Sequence, residues 1–211
     1  MKVVAFNGSP RANGNTKQAL EMVGEVLKKE GIEFEIVHVG NKVISGCVGC
    51  GMCFRNKDQK CILPGNEVNE WIQKMVEADG ILFGSPVYFA SMNATLKAFM
   101  DRAFYVGTSN DGLFRHKVGA SVIAVRRSGG LPAYNEINNY LTYSEMIVPG
   151  SNYWNVIHGR APGQVHEDEE GKQIMEVLGQ NMAWLLKVLK LGKETIPAPA
   201  REKKVYMGFN R

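Results

Sequence analysis

Along this chain, short apolar runs alternate with longer stretches whose apolar residues recur every three or four positions. That change of period predicts strands joined by crossover helices, and hence a parallel sheet. Lys2–Phe6 reads as a first buried strand and Phe34–Val39 as a second. Between them, Ala19, Leu20, Val23, Val26 and Leu27 line one face of a helix over Thr16–Lys29, which Gly31 ends. A helix starting at or near Asn66 and reaching Glu77 precedes a third strand at Gly80–Gly84. Asn93–Phe104 predicts a third helix with Leu96, Phe99, Met100 and Ala103 inward, and Val118–Val125 a fourth strand. Leu131–Tyr143 contains a further helix, and Trp154–His158 supplies the fifth strand. Gly171–Leu191 is a long last helix with Ile174, Leu178, Met182, Leu185 and Leu189 on its apolar face. Ile196-Pro197-Ala198-Pro199-Ala200 excludes helix and reads as an extended tail. The expected architecture is α/β: an open, doubly wound, five-stranded parallel sheet with its ligand crevice at the strands' carboxyl ends.

Composition narrows the picture. A chain of 211 residues, 45% hydrophobic and 22% charged, suits one domain able to bury its own core. A formal charge of +4, without a basic stripe interleaved with aromatics, does not call for nucleic acid. No apolar run approaches the ~20 residues that span a bilayer. Met1-Lys2-Val3 enters structure at once with no secretory signal, so the expected location is cytoplasmic. His38, His116, His158 and His166 are scattered without ligand spacing and read as structural. Met22, Met75, Met92, Met100 and Met182 read as core filling, and the acids of His166-Glu167-Asp168-Glu169-Glu170 suit the start of the last helix.

The four cysteines carry the candidate chemistry. All lie within one segment, Cys47-Val-Gly-Cys50-Gly-Met-Cys53 and then Cys61. Packing cysteines scatter and disulfide frameworks spread, whereas four thiols in one loop point to a bound inorganic centre. Three thiolates at C-x2-C-x2-C spacing converge from a single wrapped loop, as an iron–sulfur cluster needs. Gly49 and Gly51 between them permit positive φ and close backbone approach. Zinc fits less well, because its sites usually pair two C-x2-C knuckles across a longer gap. Reduced thiols that bind nothing are the remaining alternative.

A second candidate follows the first strand directly. Asn7-Gly8-Ser9-Pro10-Arg11-Ala12-Asn13-Gly14-Asn15-Thr16 runs into a helix, and such a strand–loop–helix turn makes an anion site from unpaired N–H groups and the helix dipole. Ser9, Asn15 and Thr16 can add side-chain bonds, and Arg11 supplies countercharge. There is neither a Gly-Lys-Ser/Thr nor a G-x-G-x-x-G pattern, and Val39-Gly40 stands where an acid would hold an adenosine ribose. What remains is a terminal phosphate held without metal, as in a mononucleotide, or a simple turn capped by Asn15 or Thr16.

Gly8-Ser9-Pro10-Arg11…Gly14-Asn15-Thr16 with Gly84-Ser85-Pro86-Val87-Tyr88-Phe89 resembles the flavodoxin-like superfamily of NAD(P)H-dependent FMN reductases, and the cysteine run resembles its iron–sulfur flavoproteins. The resemblance extends into the tail, Tyr206-Met207-Gly208-Phe209-Asn210-Arg211. It implies strand order 2-1-3-4-5 and a flavodoxin-like FMN-binding domain over 1–193 that includes a cluster loop at 46–63 after the second strand. Residues 194–211 then form the extended tail. FMN phosphate would sit on Ser9, Arg11, Asn13, Asn15 and Thr16, and the flavin ring across the loops after strands three and four. There Pro86 stiffens the chain and the backbone of Val87, Tyr88 and Phe89 reaches the ring edge, with Tyr88 or Phe89 offering a flat face. Arg126, Arg127, Ser128 and Gly129 bring cations and close-approaching backbone, and a cation by the ring's N1–O2 edge raises the flavin potential.

The implied function is electron transfer. A [4Fe–4S] cluster on Cys47, Cys50, Cys53 and Cys61 takes single electrons from a small donor protein such as ferredoxin, or NAD(P)H is the donor. FMN passes them to dioxygen, peroxide or a quinone-like acceptor with no catalytic side chain. The resemblance further implies a homodimer or homotetramer in which one subunit's cluster faces another's flavin. Two other readings of the residues stand beside this one: an FMN-only NAD(P)H-dependent quinone or nitro reductase, and a non-enzymatic redox or metal sensor.

Overall fold

The computed structural model of the protein describes residues 1–205, 207 and 208. Its sheet comprises β1 (Lys2–Asn7), β2 (Glu33–His38), β3 (Gly80–Pro86), β4 (Val118–Val125) and β5 (Val156–His158), all parallel, in the order β2-β1-β3-β4-β5. The helices are α1 (Asn15–Lys29), α2 (Met52–Asn56), α3 (Asn66–Glu77), α4 (Ala94–Ser109), α5 (Gly130–Tyr143) and α6 (Glu169–Thr195). The doubly wound architecture and its strand order are as the sequence implies, with shifts at the ends. α4 runs five residues past Phe104 because Val106 and Gly107 continue its buried face, and β5 is shorter than expected by two residues. α2, inside the cysteine segment, and a turn of 3-10 helix at Gln164–Glu167 carry no apolar period long enough to be read in advance.

The central strands are buried on both faces, so they read as continuous apolar runs rather than alternating ones. One core layer packs α1 and α6 on the sheet through Leu20, Val23, Leu27, Leu178 and Met182, each fully buried. The opposite layer holds α3, α4 and α5, where Phe99 of α4 touches Phe6 of β1 and Trp71 of α3 at ring-centroid distances of 4.9 and 5.2 Å. Burying a side chain such as Phe99 is worth roughly 1.5–3 kcal/mol. β2 is an edge strand, and its exposed side is charged: Lys2 pairs with Glu33 and Glu35, and Lys74 with Glu35. α4 and α5 are tied by Lys97 Nζ, which meets Asp101 at 3.0 Å and the Tyr140 hydroxyl at 2.8 Å. Burial and the neighbouring Asp101 carboxylate push the Tyr140 hydroxyl up to about 12.

The last helix persists to Thr195, two residues into the expected tail, because Ile196-Pro197 is the first pair that stops it. Beyond it, 196–205 has neither helix nor strand. Arg115 donates to the Pro199 carbonyl at 2.9 Å and Arg201 pairs with Asp111 at 3.4 Å, so this segment lies back along the body. Of the tail residues that carry the resemblance, Tyr206, Phe209, Asn210 and Arg211 lie outside the described residues. Among the described residues no helix is long and apolar enough to cross a membrane.

Candidate functional site

The carboxyl ends of β1, β3, β4 and β5 bring four loops together. The first is 8–14. Its floor is Asn7, fully buried, whose Oδ1 accepts from the Ser9 N–H at 3.0 Å while its Nδ2 has no partner among the described residues. Ser9 is 4% exposed, and its hydroxyl accepts from the Arg11 N–H at 3.2 Å. Gly8 N–H donates to Gly84 O at 2.8 Å, which fastens the loop to β3.

α1 starts at Gly14 with no side-chain cap, so the capped-turn alternative does not hold. Asn15 does not cap, because its amide is committed elsewhere: Nδ2 donates to Ala161 O and Oδ1 accepts from Gly163 N–H, both at 2.9 Å. It therefore fastens the loop after β5 to the start of α1, a partner no local pattern shows. Thr16 is buried, Arg11 and Asn13 are exposed, and Asn13 Oδ1 accepts from Lys17 Nζ at 3.2 Å. Unpaired N–H groups of the first helical turn, an orphaned buried amide and a nearby guanidinium suit a phosphate. His38, expected to be structural, sits at the end of β2 with Nε2 2.7 Å from Ser9 O. A carbonyl only accepts, so Nε2 carries the proton there.

The loop after β3 is a tight turn. Tyr88 and Ser91 exchange backbone bonds of 3.0 and 2.9 Å, and the two residues between them, Phe89 (φ 49°) and Ala90 (φ 60°), are both left-handed. That conformation costs a residue with a β-carbon roughly 1–2 kcal/mol. Phe89 is 103% exposed and Tyr88 45%. The turn is held from outside: Glu136 of α5 accepts from the Ser91 hydroxyl at 2.7 Å and from Met92 N–H at 3.0 Å. Buried Ser85 donates to Pro86 O at 2.8 Å and accepts from Asn93 N–H at 2.9 Å, and Val87 N–H donates to Ala124 O at 3.2 Å. Gly129, with φ 85°, packs against this turn, and a methyl there would lie 3.1 Å from Ala90 Cα. Arg126, Arg127 and Ser128 are exposed beside it. The two loops expected to hold a ring are thus in contact. Glu136 was not legible, since it lies 45 residues from Ser91 on another helix.

The cysteine segment wraps outside α4. Gly49 (φ 65°) and Gly51 (φ 70°) are left-handed, as the spacing implies, and α2 begins directly after Gly51. Cys47, Cys50, Cys53 and Cys61 all border one cavity of about 10 Å³, walled also by Leu63, Arg102 and Tyr105. Cys53 is buried and Cys50 exposed, and all four are free thiols. Among the described residues, no three histidine, cysteine or carboxylate side chains are grouped so as to hold a metal ion. The donor set suits a larger sulfur-bound group: four thiols and a guanidinium, 1% exposed, line the same cavity. Cys61 is held by two helices. Its N–H donates to Asn69 Oδ1 at 2.9 Å, its carbonyl accepts from Asn69 Nδ2 at 3.0 Å, and its Sγ accepts from Arg102 Nε at 3.3 Å. Asn69 and Arg102 are both absent from the sequence-level site. An arginine on the mostly buried face of α4 was the one available signal.

The family model described as NADPH-dependent FMN reductase matches residues 1–161. An iron–sulfur flavoprotein of Methanocaldococcus jannaschii is 36% identical over 199 residues, 90% of this chain and 100% of that protein. One of Methanosarcina thermophila is 32% identical over 186 residues, 84% and 95% of the two chains. Among solved structures, RosB with bound 8-demethyl-8-formylriboflavin-5'-phosphate superposes with a TM-score of 0.68 at 16% identity, covering 100% of this chain and 94% of its own. A flavodoxin from the Archaea gives 0.59 at 19%, covering 89% and 99%. At those identities the solved structures show the fold alone, which is flavodoxin-like.

Proposed function

We propose that this chain, which belongs to the NADPH-dependent FMN reductase family and within it to the iron–sulfur flavoproteins, transfers electrons between a [4Fe–4S] cluster and FMN. It is a flavin-dependent oxidoreductase. The observation that carries the cluster is that four cysteines from one segment border a single cavity that a buried arginine also lines. Cys47, Cys50, Cys53 and Cys61 would hold it, within a domain of residues 1–193 whose cluster loop spans 46–63.

FMN, when bound, supplies one- and two-electron chemistry, and the cluster supplies single electrons. The residues of this chain bind and orient. Backbone N–H groups at the start of α1, with Ser9, Arg11, Asn13 and Thr16, hold the phosphate, while Asn15 acts at one remove by fastening 161–163. The backbone of Val87, Tyr88 and Phe89, after Pro86, meets one edge of the ring. Arg126, Arg127, Ser128 and Gly129 meet another, where a cation favours the anionic reduced ring. No side-chain acid or base is assigned.

The ring loops lie at the start of α4, and Arg102 lies nine residues along it, roughly 13 Å. Val48, Phe54 and Ile62 beside the cysteines are exposed, as is Phe89 at the ring loop. Apolar surface at both places supports a homodimer or homotetramer in which one subunit's cysteine loop meets another's ring loops. The donor is then a small protein such as ferredoxin, or NAD(P)H, and the acceptor dioxygen, peroxide or a quinone-like molecule.

Protein purified under nitrogen is expected to contain about four irons and one FMN per chain, with broad visible absorption. Colourless, iron-free protein from anaerobic cells rejects the proposal. A second reading, an FMN-only NAD(P)H-dependent quinone or nitro reductase, is favoured by the description of the matched family. Full anaerobic turnover with NADPH in a variant lacking all four cysteines would decide for it.

A further inference from the structure

The least explained charge in the molecule is Arg102. It is 1% exposed in mid-α4, and among the described residues no carboxylate pairs with it, since the adjacent Asp101 is engaged by Lys97 and Tyr140. A buried cation normally has an anion, because desolvation costs several kcal/mol that neutral acceptors only partly return. Arg102 has carbonyls instead: Nη2 donates to Leu63 O at 2.9 Å, and Nη1 and Nη2 each reach Pro64 O at 3.3 Å. Its Nε donates to Cys61 Sγ at 3.3 Å, beside the cavity that all four cysteines border.

We infer that Arg102 is the counter-cation and positioning residue of the four-cysteine site. It holds Cys61 and the 63–64 carbonyls together and supplies positive charge beside a thiolate-bound cluster, which makes that cluster easier to reduce. The inference rests on the cluster reading above and deepens it. Two features separate it from a simple brace. Asn69 already fixes the Cys61 backbone through two bonds, so Arg102 is not needed to place the chain there. And the bracing contacts use only the two Nη groups, leaving Nε for sulfur. A hydrogen bond and a positive charge at a ligating sulfur favour the more negative, reduced state of the bound group.

The experiment compares wild type with Arg102→Met, Arg102→Lys and Asn69→Ala, each purified and reconstituted under nitrogen. Iron and sulfide content, cluster midpoint potential, and thermal midpoint with and without cluster are measured. Arg102→Met is expected to lower the one-electron potential by about 59 mV, a tenfold change in the equilibrium constant, and to speed cluster loss to a chelator about tenfold. Arg102→Lys keeps the charge without the fork and falls between, which also covers a failure of the Met variant to fold. Asn69→Ala costs stability but leaves the potential in place. Arg102→Met must lower the thermal midpoint more in loaded than in cluster-free protein, because its anion is present only in the first; a brace would cost both equally. Wild-type potential in both Arg102 variants, or an equal thermal cost in the two states, overturns the inference while the cluster stands. Wild-type protein that takes up no iron removes the cluster reading and this inference together.

Discussion

Replacing Gly40 by alanine is the sharpest steric test of the proposed phosphate loop. A methyl on its α-carbon would lie 2.2 Å from Gly8 O, 2.3 Å from Ser9 O and 2.4 Å from Gly8 C, all backbone atoms with no rotamer to escape into. Ordinary contact requires the end of β2 and the loop to part by roughly 1 Å. That strains the bond from Gly40 N–H to Asn7 O, 3.0 Å long, and the one from His38 Nε2 to Ser9 O. Overpacking of this kind costs about 1–3 kcal/mol. At about 2–4 °C per kcal/mol for a chain of this size, the flavin-free midpoint falls by about 2–12 °C. A loop displaced by that distance no longer aims its donors at one point, and a loss of about 1.4 kcal/mol makes FMN binding tenfold weaker. The assay is flavin fluorescence titration of flavin-free wild type, Gly40→Ala and the control Gly46→Ala, whose added methyl meets nothing within 4 Å. Riboflavin is titrated in parallel, since it lacks the phosphate. FMN affinity should fall in Gly40→Ala alone, and the preference for FMN over riboflavin should shrink. An unchanged preference in a folded variant refutes the assignment of this loop to phosphate.

Three further outcomes follow from the geometry. Arg126→Ala or Arg127→Ala should lower the flavin potential or weaken FMN binding; wild-type potential and affinity in both variants would reject their place at the ring. Ala90→Val puts a β-branched side chain at φ 60° and should weaken FMN binding without lowering iron content, as read by paired flavin and iron assays. Asp168 caps α6; burial pushes its carboxyl up, but bonds from Gly171 N–H at 2.9 Å and His158 N–H at 2.7 Å outweigh that and hold it below its ordinary 3.8. Its stabilisation is therefore present above about pH 4 and lost as pH falls through the lower folded value. Thermal melts of wild type and Asp168→Asn should differ at neutral pH and converge in acid, and a constant difference down to pH 2 would contradict this.

The sheet was legible because burial on both faces writes itself as uninterrupted apolar runs, and Val118–Val125 was read to the residue. Helix ends were less so. α4 continues to Ser109 because its last turns pack on Phe114, a contact made only after the chain has folded back. The clustering of the cysteines and the glycine-rich turn before α1 were equally plain, since each lies within a single segment. The role given to Asn15 shows where that stops: its composition suits a phosphate, yet its amide is occupied by residues 146 and 148 positions away.

The chain by itself determined which segments are candidates for chemistry, through local facts such as apolar period, thiol spacing and glycines where φ is positive. Tertiary structure alone decided how those segments are supported. Glu136 under the strained turn, His38 on the loop after β1, and Arg102 at Cys61 each act across tens of residues, and Asn69 reaches Cys61 from another element. A hydrogen bond or buried charge needs a partner in space and leaves no period along the sequence.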